Sequence, residues 1–183
     1  GRTERLEAES GQTARQRRLD LSPILSTAGV SDSTARYCQN DRNKPFDQAI
    51  LAQKMWADLK TVIEVKGDAS LSYSISNRDR SVGARLSGEI AKRYGNQGYA
   101  PSNIHIQFTG NAGQSFGVWN AGGLNLHLIG DANDYVGKGM AGGRLVLSPP
   151  SDAGFIARHA PIMGNTCLYG ATGGELFAAG TAG

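Results

Sequence analysis

The chain is expected to be mainly β. It reads as a right-handed, single-stranded parallel β-helix with coils of about 20 residues, entered through a small helix–strand–helix–strand cap. Three observations lead there. First, the stretch Gly110–Gly183 holds 17 of the 25 glycines and only seven charged side chains, so it is built of backbone turns and not of a solvated helix face. Second, it repeats itself. Gly110/Gly130, Ala112/Ala132, Gly117/Gly137, Ala121/Ala141, Gly122/Gly142 and Gly123/Gly143 each lie 20 residues apart. A third copy runs through Gly164-Asn165, Gly170 and Gly173-Gly174, and a fourth begins at Gly180. Third, each Gly-Gly pair precedes a short β-prone apolar run: Leu124, Leu126, Leu128; then Leu145, Val146, Leu147; then Leu176, Phe177. The 3.6-residue spacing of an amphipathic helix is absent there.

Upstream, residues 1–25 read as a linker or arm. Arg2, Arg5, Arg15, Arg17 and Arg18 alternate with acidic and polar residues, and Leu19–Leu25 is a short apolar anchor broken at Pro23. Residues 26–109 form the α/β entry cap. After a polar loop over 27–45, a helix is expected from Phe46 to about Lys66, with Ile50, Leu51, Met55, Leu59 and Ile63 as its apolar stripe. Pro45 stands near its start and Gly67 follows its end. Leu71, Tyr73 and Ile75 alternate with serines as a half-buried strand. A polar turn over 77–83 leads to a second helix from about Val82 to Tyr94, stopped at Gly95. Ile104, Ile106 and Phe108 alternate as the strand that feeds the coils of 110–183.

Within those coils, Gly110, Gly117, Gly122, Gly123, Gly130, Gly137, Gly142, Gly143, Gly164, Gly170, Gly173 and Gly174 are the expected repeat corners, where a left-handed backbone excludes most other residues. The Gly-polar starts Gly110-Asn111, Gly130-Asp131 and Gly164-Asn165 are expected to stack their side chains. The third start comes 34 residues after the second, so an insertion between Pro149 and Pro161 is expected to leave the sheet.

Bulk composition excludes several classes. The formal net charge of +3 is interspersed and forms no one-sign cluster, which argues against nucleic acid. No apolar run approaches membrane-spanning length. Cys38 and Cys167 are far apart and outside any CxxC spacing, so the chain is expected to be cytoplasmic with reduced thiols.

Several motifs invite a chemical reading. Residues 137–142 spell GxGxxG, but the dinucleotide fingerprint needs a helix after it, and Arg144–Leu147 reads as strand. Asp131, Asn133 and Asp134 could form a metal or acid/base cluster, yet Gly142 stands where an EF-hand needs glutamate; turn residues are the simpler reading. Lys138 could pair with Asp131 or Asp134, or face a partner. His105, His127 and His159 are scattered, His127 pointing outward, and Cys167 reads as core. Gly113–Gly117 (GQSFG) lacks the spacing of a nucleophile elbow. No catalytic, cofactor-binding or metal-ligating residue is assigned.

The strings GQSFGVWNAGG (113–123), GDANDYVGKGMAGG (130–143) and GNTCLYGATGG (164–174) resemble the C-terminal β-helix domain of the glutamate synthase large (alpha) subunit, a domain named for its Gly-x-Gly-x-Gly repeats. NRDRSVGARLSGEIAKRYG (77–95) resembles the segment that leads into it, so the likeness covers about Leu19 to Gly183. The resemblance implies an enzyme that converts glutamine and 2-oxoglutarate to two glutamates, assimilating ammonia. In that family an amidotransferase domain releases ammonia, which is channelled to an FMN domain served by a 3Fe–4S cluster. It implies a structural, non-catalytic module packed between those domains, with the FMN and amidotransferase domains of the parent chain as partners and no cofactor in this chain. The two cysteines are too few for an iron–sulfur cluster. In that family the chain continues with further coils, and here a coil has just begun at Gly180, so the chain is expected to be truncated after Gly183. The strand edges and apolar rows left uncovered at Gly164–Gly183 are expected to pair as a homo-oligomer. The alternative is a stand-alone β-helix polypeptide within an oxidoreductase complex, similar to the β-helix component of formylmethanofuran dehydrogenase.

Overall fold

The computed structural model describes residues 10–35, 37–39, 49–95, 98–100 and 103–183. The chain divides into two units, residues 1–46 and 47–183. In the first, a 3₁₀ turn at Gln16–Arg18 precedes α1 (Ser22–Leu25). Pro23 sits in the first turn of α1, where its missing N–H is harmless; it starts a helix where the sequence pattern had it break an anchor. Leu19, Leu21 and Leu25 are exposed.

The second unit opens with α2 (Ile50–Glu64), shorter than expected; residues 40–48, including Pro45 and Phe46, lie outside the described residues. Met55, Leu59 and Ile63, four residues apart, form its buried stripe. Ile50, expected to be part of that stripe, is exposed on the first turn instead. Two tyrosine hydroxyls satisfy carbonyls at the C-terminal end of α2. Tyr99 Oη lies within hydrogen-bond reach of Val62 O (2.6 Å) and Gly67 O (2.8 Å), which share its one proton, and Tyr94 Oη donates to Ile63 O. These are groups that a helix end leaves without intrahelical partners. β1 (Ala69–Ile75) follows, with its serines outward and Tyr73 and Ile75 buried. α3 (Ala84–Tyr94) buries Leu86, Ser87 and Ile90 and ends on the left-handed Gly95.

Among the described residues all strand pairs are parallel, and seven strands form one sheet in the order β1-β2-β3-β4-β6, with β5 pairing β3 and β7. These are β2 (Ile104–Ala112), β3 (Leu124–Ala132), β4 (Ala141–Ser148), β5 (Pro161–Met163), β6 (Gly173–Ala178) and β7 (Thr181–Ala182). The fold is thus mainly a parallel sheet with few helices. β1 belongs to the same sheet as the repeats, pairing Ala69 with Ile104 through Ile75 with Gly110.

The pairing register refines the repeat. β2 and β3 pair at an offset of 20, Ile104 with Leu124 through Ala112 with Ala132. β3 and β4 pair at 19, Leu126 with Leu145 and Leu128 with Leu147. At 20, Leu126 would stand beside Val146 and Leu128 beside Ser148. A one-residue slip sends every side chain to the other face, so losing one residue after the Gly142-Gly143 corner keeps leucine over leucine. The third copy lies 31 residues on, Ala132 pairing with Met163 and Leu145 with Leu176. Gly164 therefore lies over Asn133, not over Gly130 as the Gly-polar pattern had it: the Gly164 amide donates to Ala132 O. Residues 149–160 are the insertion, and they leave the sheet after Ser148.

Two glycines show why the repeat demands them. A Cβ at Gly110 would lie 2.1 Å from Ile75 O, and one at Gly130 would lie 1.8 Å from Gly110 O. Both have positive φ. The inner face stacks in rows: Tyr73 on Phe108 (ring centroids 6.0 Å apart), Phe108 edge-on to Phe116 (5.6 Å), then Leu126, Leu128, Leu145 and Leu147.

Candidate functional site

Many of the residues singled out in the sequence lie on the turns that join the strands. Residues 113–121, 133–140 and 164–172 stack like the strands do, through backbone hydrogen bonds that alternate in direction. Ser115 and Trp119 amides donate to Asp134 O and Lys138 O of the next repeat, whereas Gly117 N–H donates backward to Val82 O. One repeat on, Tyr135 and Gly139 donate to Asn165 O and Tyr169 O, and Gly137 donates back to Phe116 O. The backbone alternates to allow this, with positive φ at Ser115, Gly117 and Trp119, at Tyr135, Gly137 and Gly139, and at Thr166, Leu168 and Gly170.

This geometry decides the meaning of the GxGxxG string. Gly137, Lys138, Gly139, Met140, Ala141 and Gly142 all spend their amides on carbonyls: Phe116, Tyr135, Tyr169, Gly137 and, twice, Asn120. A phosphate cradle needs several amides aimed at one point outside the protein. Here they bind one repeat to the next, and β4 follows in place of a helix.

Asp131, Asn133 and Asp134 are likewise committed to neighbouring repeats. Asn111 Nδ2 donates to Asp131 Oδ1, Asn133 Nδ2 to Asn77 Oδ1 (2.8 Å), and the Asn165 amide to Asp134 Oδ1 (2.8 Å). The expected Asn111–Asp131 stack forms, but Asn165 joins Asp134 instead because of the 31-residue register. These groups line a depression of about 350 Å³ with Gln114 and Met163. Among the described residues, no three His, Cys, Asp or Glu side chains are placed to share a metal ion.

Lys138 takes neither aspartate. Its Nζ lies over the Tyr135 ring (5.2 Å to the centroid) and the Tyr169 ring (6.0 Å), a cation–π arrangement. Cys167 packs against the core and its Sγ donates to Gly164 O (3.2 Å). Burial pushes its thiol pKa up, the Val136 backbone hydrogen bond opposes that shift, and the Asp134 charge adds to it. A thiol held neutral is a poor nucleophile. Cys38 is exposed.

The outward face of the sheet carries a second depression of about 310 Å³, lined by Ser70, His105, Gln107, Asn125, His127 and Arg144. His127 points outward as expected, and its Nε2 is 2.9 Å from Ser148 Oγ. Arg144 pairs with Glu175 (2.7 Å) and lies over the Phe177 ring. His159 lies on the insertion, in the 3₁₀ turn Ala157–His159, away from His105 and His127 in the sheet. The three histidines do not form one site.

Two features had no expectation in the sequence. Asn120 is fully buried, its Nδ2 donating to Leu124 O (2.8 Å) and Gly142 O (3.0 Å) while its Oδ1 has no partner. Trp119 is 61% exposed although its backbone is left-handed. The repeat itself carried that signal: at a spacing of 20, Trp119 falls on Gly139, so an aromatic occupies a glycine position.

The arrangement is a packed stack with chemical groups spent on holding repeats together. Comparison with known proteins agrees with that repeat architecture. The chain is 46% identical to the ferredoxin-dependent glutamate synthase of Oryza sativa subsp. japonica and 45% identical to ferredoxin-dependent glutamate synthase 2 of a Synechocystis strain. It is 40% identical to the glutamate synthase [NADPH] large chain of Azospirillum brasilense. Each match covers 100% of this chain but only 11–12% of the relative, so the chain spans about a ninth of the length of these curated relatives. The GXGXG motif model matches residues 48–183, which takes in every stacked repeat, and the chain belongs to the GXGXG motif family.

Proposed function

We propose that this chain is a non-catalytic, structural module of a glutamate synthase large chain, setting the spacing between catalytic domains that lie elsewhere in the polypeptide. The observation that supports it most is the likeness over the whole chain to a small segment of three glutamate synthases, two ferredoxin-dependent and one NADPH-dependent. A segment with similar sequence in ferredoxin- and NADPH-dependent enzymes belongs to their shared framework. The solid interior fits that role, since Phe108, Phe116, Leu126 and Leu147 leave it filled. The parent enzyme on this proposal converts glutamine and 2-oxoglutarate to two glutamates, its FMN and 3Fe–4S cluster held by other domains.

The repeats on this proposal wind as a right-handed parallel β-helix, the hand that parallel crossovers take in about 98% of cases. The module's partners are the FMN and amidotransferase domains. Its setting is the cytoplasm, in line with two reduced thiols. No helix among the described residues is long and apolar enough to cross a membrane.

The test is a graft. This chain replaces the matched segment in the Synechocystis enzyme, and the hybrid is assayed for glutamine-dependent glutamate formation. Activity close to the parent's supports a structural module. A hybrid that folds and binds FMN yet is inactive because the grafted segment lacks a reacting group overturns it; that outcome is separated from misfitting by restoring single parental residues. The stand-alone alternative is read from the native polypeptide's mass.

A further inference from the structure

The turn stack exposes one cluster that its own packing does not explain. Trp119, Gly139 and Gly170 occupy the same place in successive repeats, because the Trp119 amide donates to Lys138 O and the Gly139 amide to Tyr169 O. All three have positive φ. Two repeats fill that place with glycine, which adopts this backbone without penalty. The third fills it with tryptophan, at a steric cost and with 61% of its surface left in water. Tyr135 repeats the pattern, left-handed at φ 67 and 38% exposed. The stack itself imposes the left-handed backbone at these places. It does not call for large aromatic side chains left in water, and their gathering there marks a surface shaped by something outside the local fold.

The cluster is also pre-formed. The Trp119 indole lies against the backbone of Gly139, where a Cβ would meet its Cδ1 at 2.7 Å, so glycine at 139 gives the ring a flat seat. Lys138 lies across Tyr135 and Tyr169, and Tyr169 is 63% exposed. Rigid tryptophan and tyrosine side chains lose little freedom on binding and dominate interface energetics. Among the described residues no carboxylate pairs with Lys138, since the ion pairs there involve Arg93 and Arg144.

We propose that Trp119, Tyr135, Lys138 and Tyr169 form the docking surface for another folded domain of the same polypeptide, one that presents apolar surface with a carboxylate facing Lys138. This rests on the reading of the chain as a segment of a longer enzyme. The relatives carry the matching segment inside polypeptides about nine times as long, which places the occupant in cis. A second copy is disfavoured by charge. A two-fold contact brings the same patch together on both sides, and Lys138 would meet Lys138 with no acid supplied by the patch.

The experiment is hydroxyl-radical footprinting of the intact native enzyme, with oxidation at Trp119, Tyr135 and Tyr169 read by mass spectrometry against the urea-unfolded enzyme. Docking slows oxidation at all three by about an order of magnitude, as for side chains desolvated at the centre of an interface. In Trp119→Gly, which takes the residue of the other two repeats, Tyr135 and Tyr169 regain exposure while the stack keeps its fold. Lys138→Glu does the same through charge and leaves the backbone alone. Oxidation of Trp119 within a factor of about two of the unfolded rate overturns the proposal, since that is the rate its present exposure allows. Protection that fades on dilution also overturns it, because it names a second copy. Intact mass is read first: a native chain little longer than 183 residues refutes the module reading itself, whereas a long chain with an unprotected patch refutes only the docking surface.

Discussion

Asn120 offers the sharpest test of how the repeats are held. Its amide is fully buried and serves two carbonyls at once, Leu124 O at the start of β3 and Gly142 O at the next corner. In Asn120→Leu both acceptors lose their donor, a gross cost of about 2–6 kcal/mol. The unpartnered Oδ1 disappears as well, which returns about 1–3 kcal/mol, so the net loss is about 1–3 kcal/mol at any pH. Asn120→Asp behaves differently. A carboxylate facing two carbonyl oxygens is held neutral, and its one O–H serves one of them. The remaining orphan costs about 1–3 kcal/mol. Keeping the acid protonated at pH 7, against an unfolded-state pKa of about 3.9, adds about 4 kcal/mol. Because the folded-state pKa is raised, this variant's stability is greatest below the unfolded pKa and falls as pH rises, by about 1.4 kcal/mol per unit above pH 4. Urea unfolding of both variants at pH 4, 5 and 6 measures it. The two deficits converge at pH 4 and diverge upward. A pH-independent Asn120→Asp deficit, or one no larger than that of Asn120→Leu at pH 6, refutes the assigned hydrogen bonds.

Further outcomes follow from other contacts. Gly143→Ala places a Cβ 2.2 Å from Leu124 O at φ +70, whereas Gly170→Ala at φ +68 meets nothing within 4 Å. Thermal unfolding should show Gly170→Ala costing only the left-handed penalty of about 1–2 kcal/mol, and Gly143→Ala preventing a native melt. Tyr99 is pushed up to about 12, chiefly by burial, then by Tyr94 and Asp68, against a lowering bond from Gly67. Its stabilisation is complete below pH 10 and is lost as pH rises toward 12; Tyr99→Phe removes that part of the alkaline transition and costs about 1–2 kcal/mol at neutral pH, both read by circular dichroism. Glu175→Ala breaks an exposed pair with Arg144 and should change stability by less than about 1 kcal/mol in urea unfolding. A thiol reagent should label exposed Cys38 well before Cys167, whose pKa is raised by burial; equal rates would contradict the packed position of Cys167.

Local rules carried the sequence a long way. Alternating Leu71, Tyr73 and Ile75, or Ile104, Ile106 and Phe108, can bury one face only as strands, and they do. The Gly142-Gly143 doublet marks an irregularity at the head of β4, where the backbone of the previous repeat leaves no room for a Cβ. The period, the parallel pairing it implies and the family likeness were all legible from such residues. Other features depended on partners distant in the chain. The offsets of 19 and 31 follow from which leucines must share an interior row, and a repeat counted from glycines alone does not contain that information. Lys138 had two aspartates within a few residues, yet the stack spends Asp131 and Asp134 on asparagine side-chain and backbone N–H groups and lays two tyrosines beneath the ammonium. Asn120 became a buried clamp, and Trp119 an exposed indole on a glycine seat, only when residues 20 or more positions apart were stacked. The chain by itself determined that it would form glycine-rich parallel strand repeats, since that follows from backbone freedom and alternation. The tertiary structure decided register, partner and exposure, because each is set by what the next turn of the stack brings into contact.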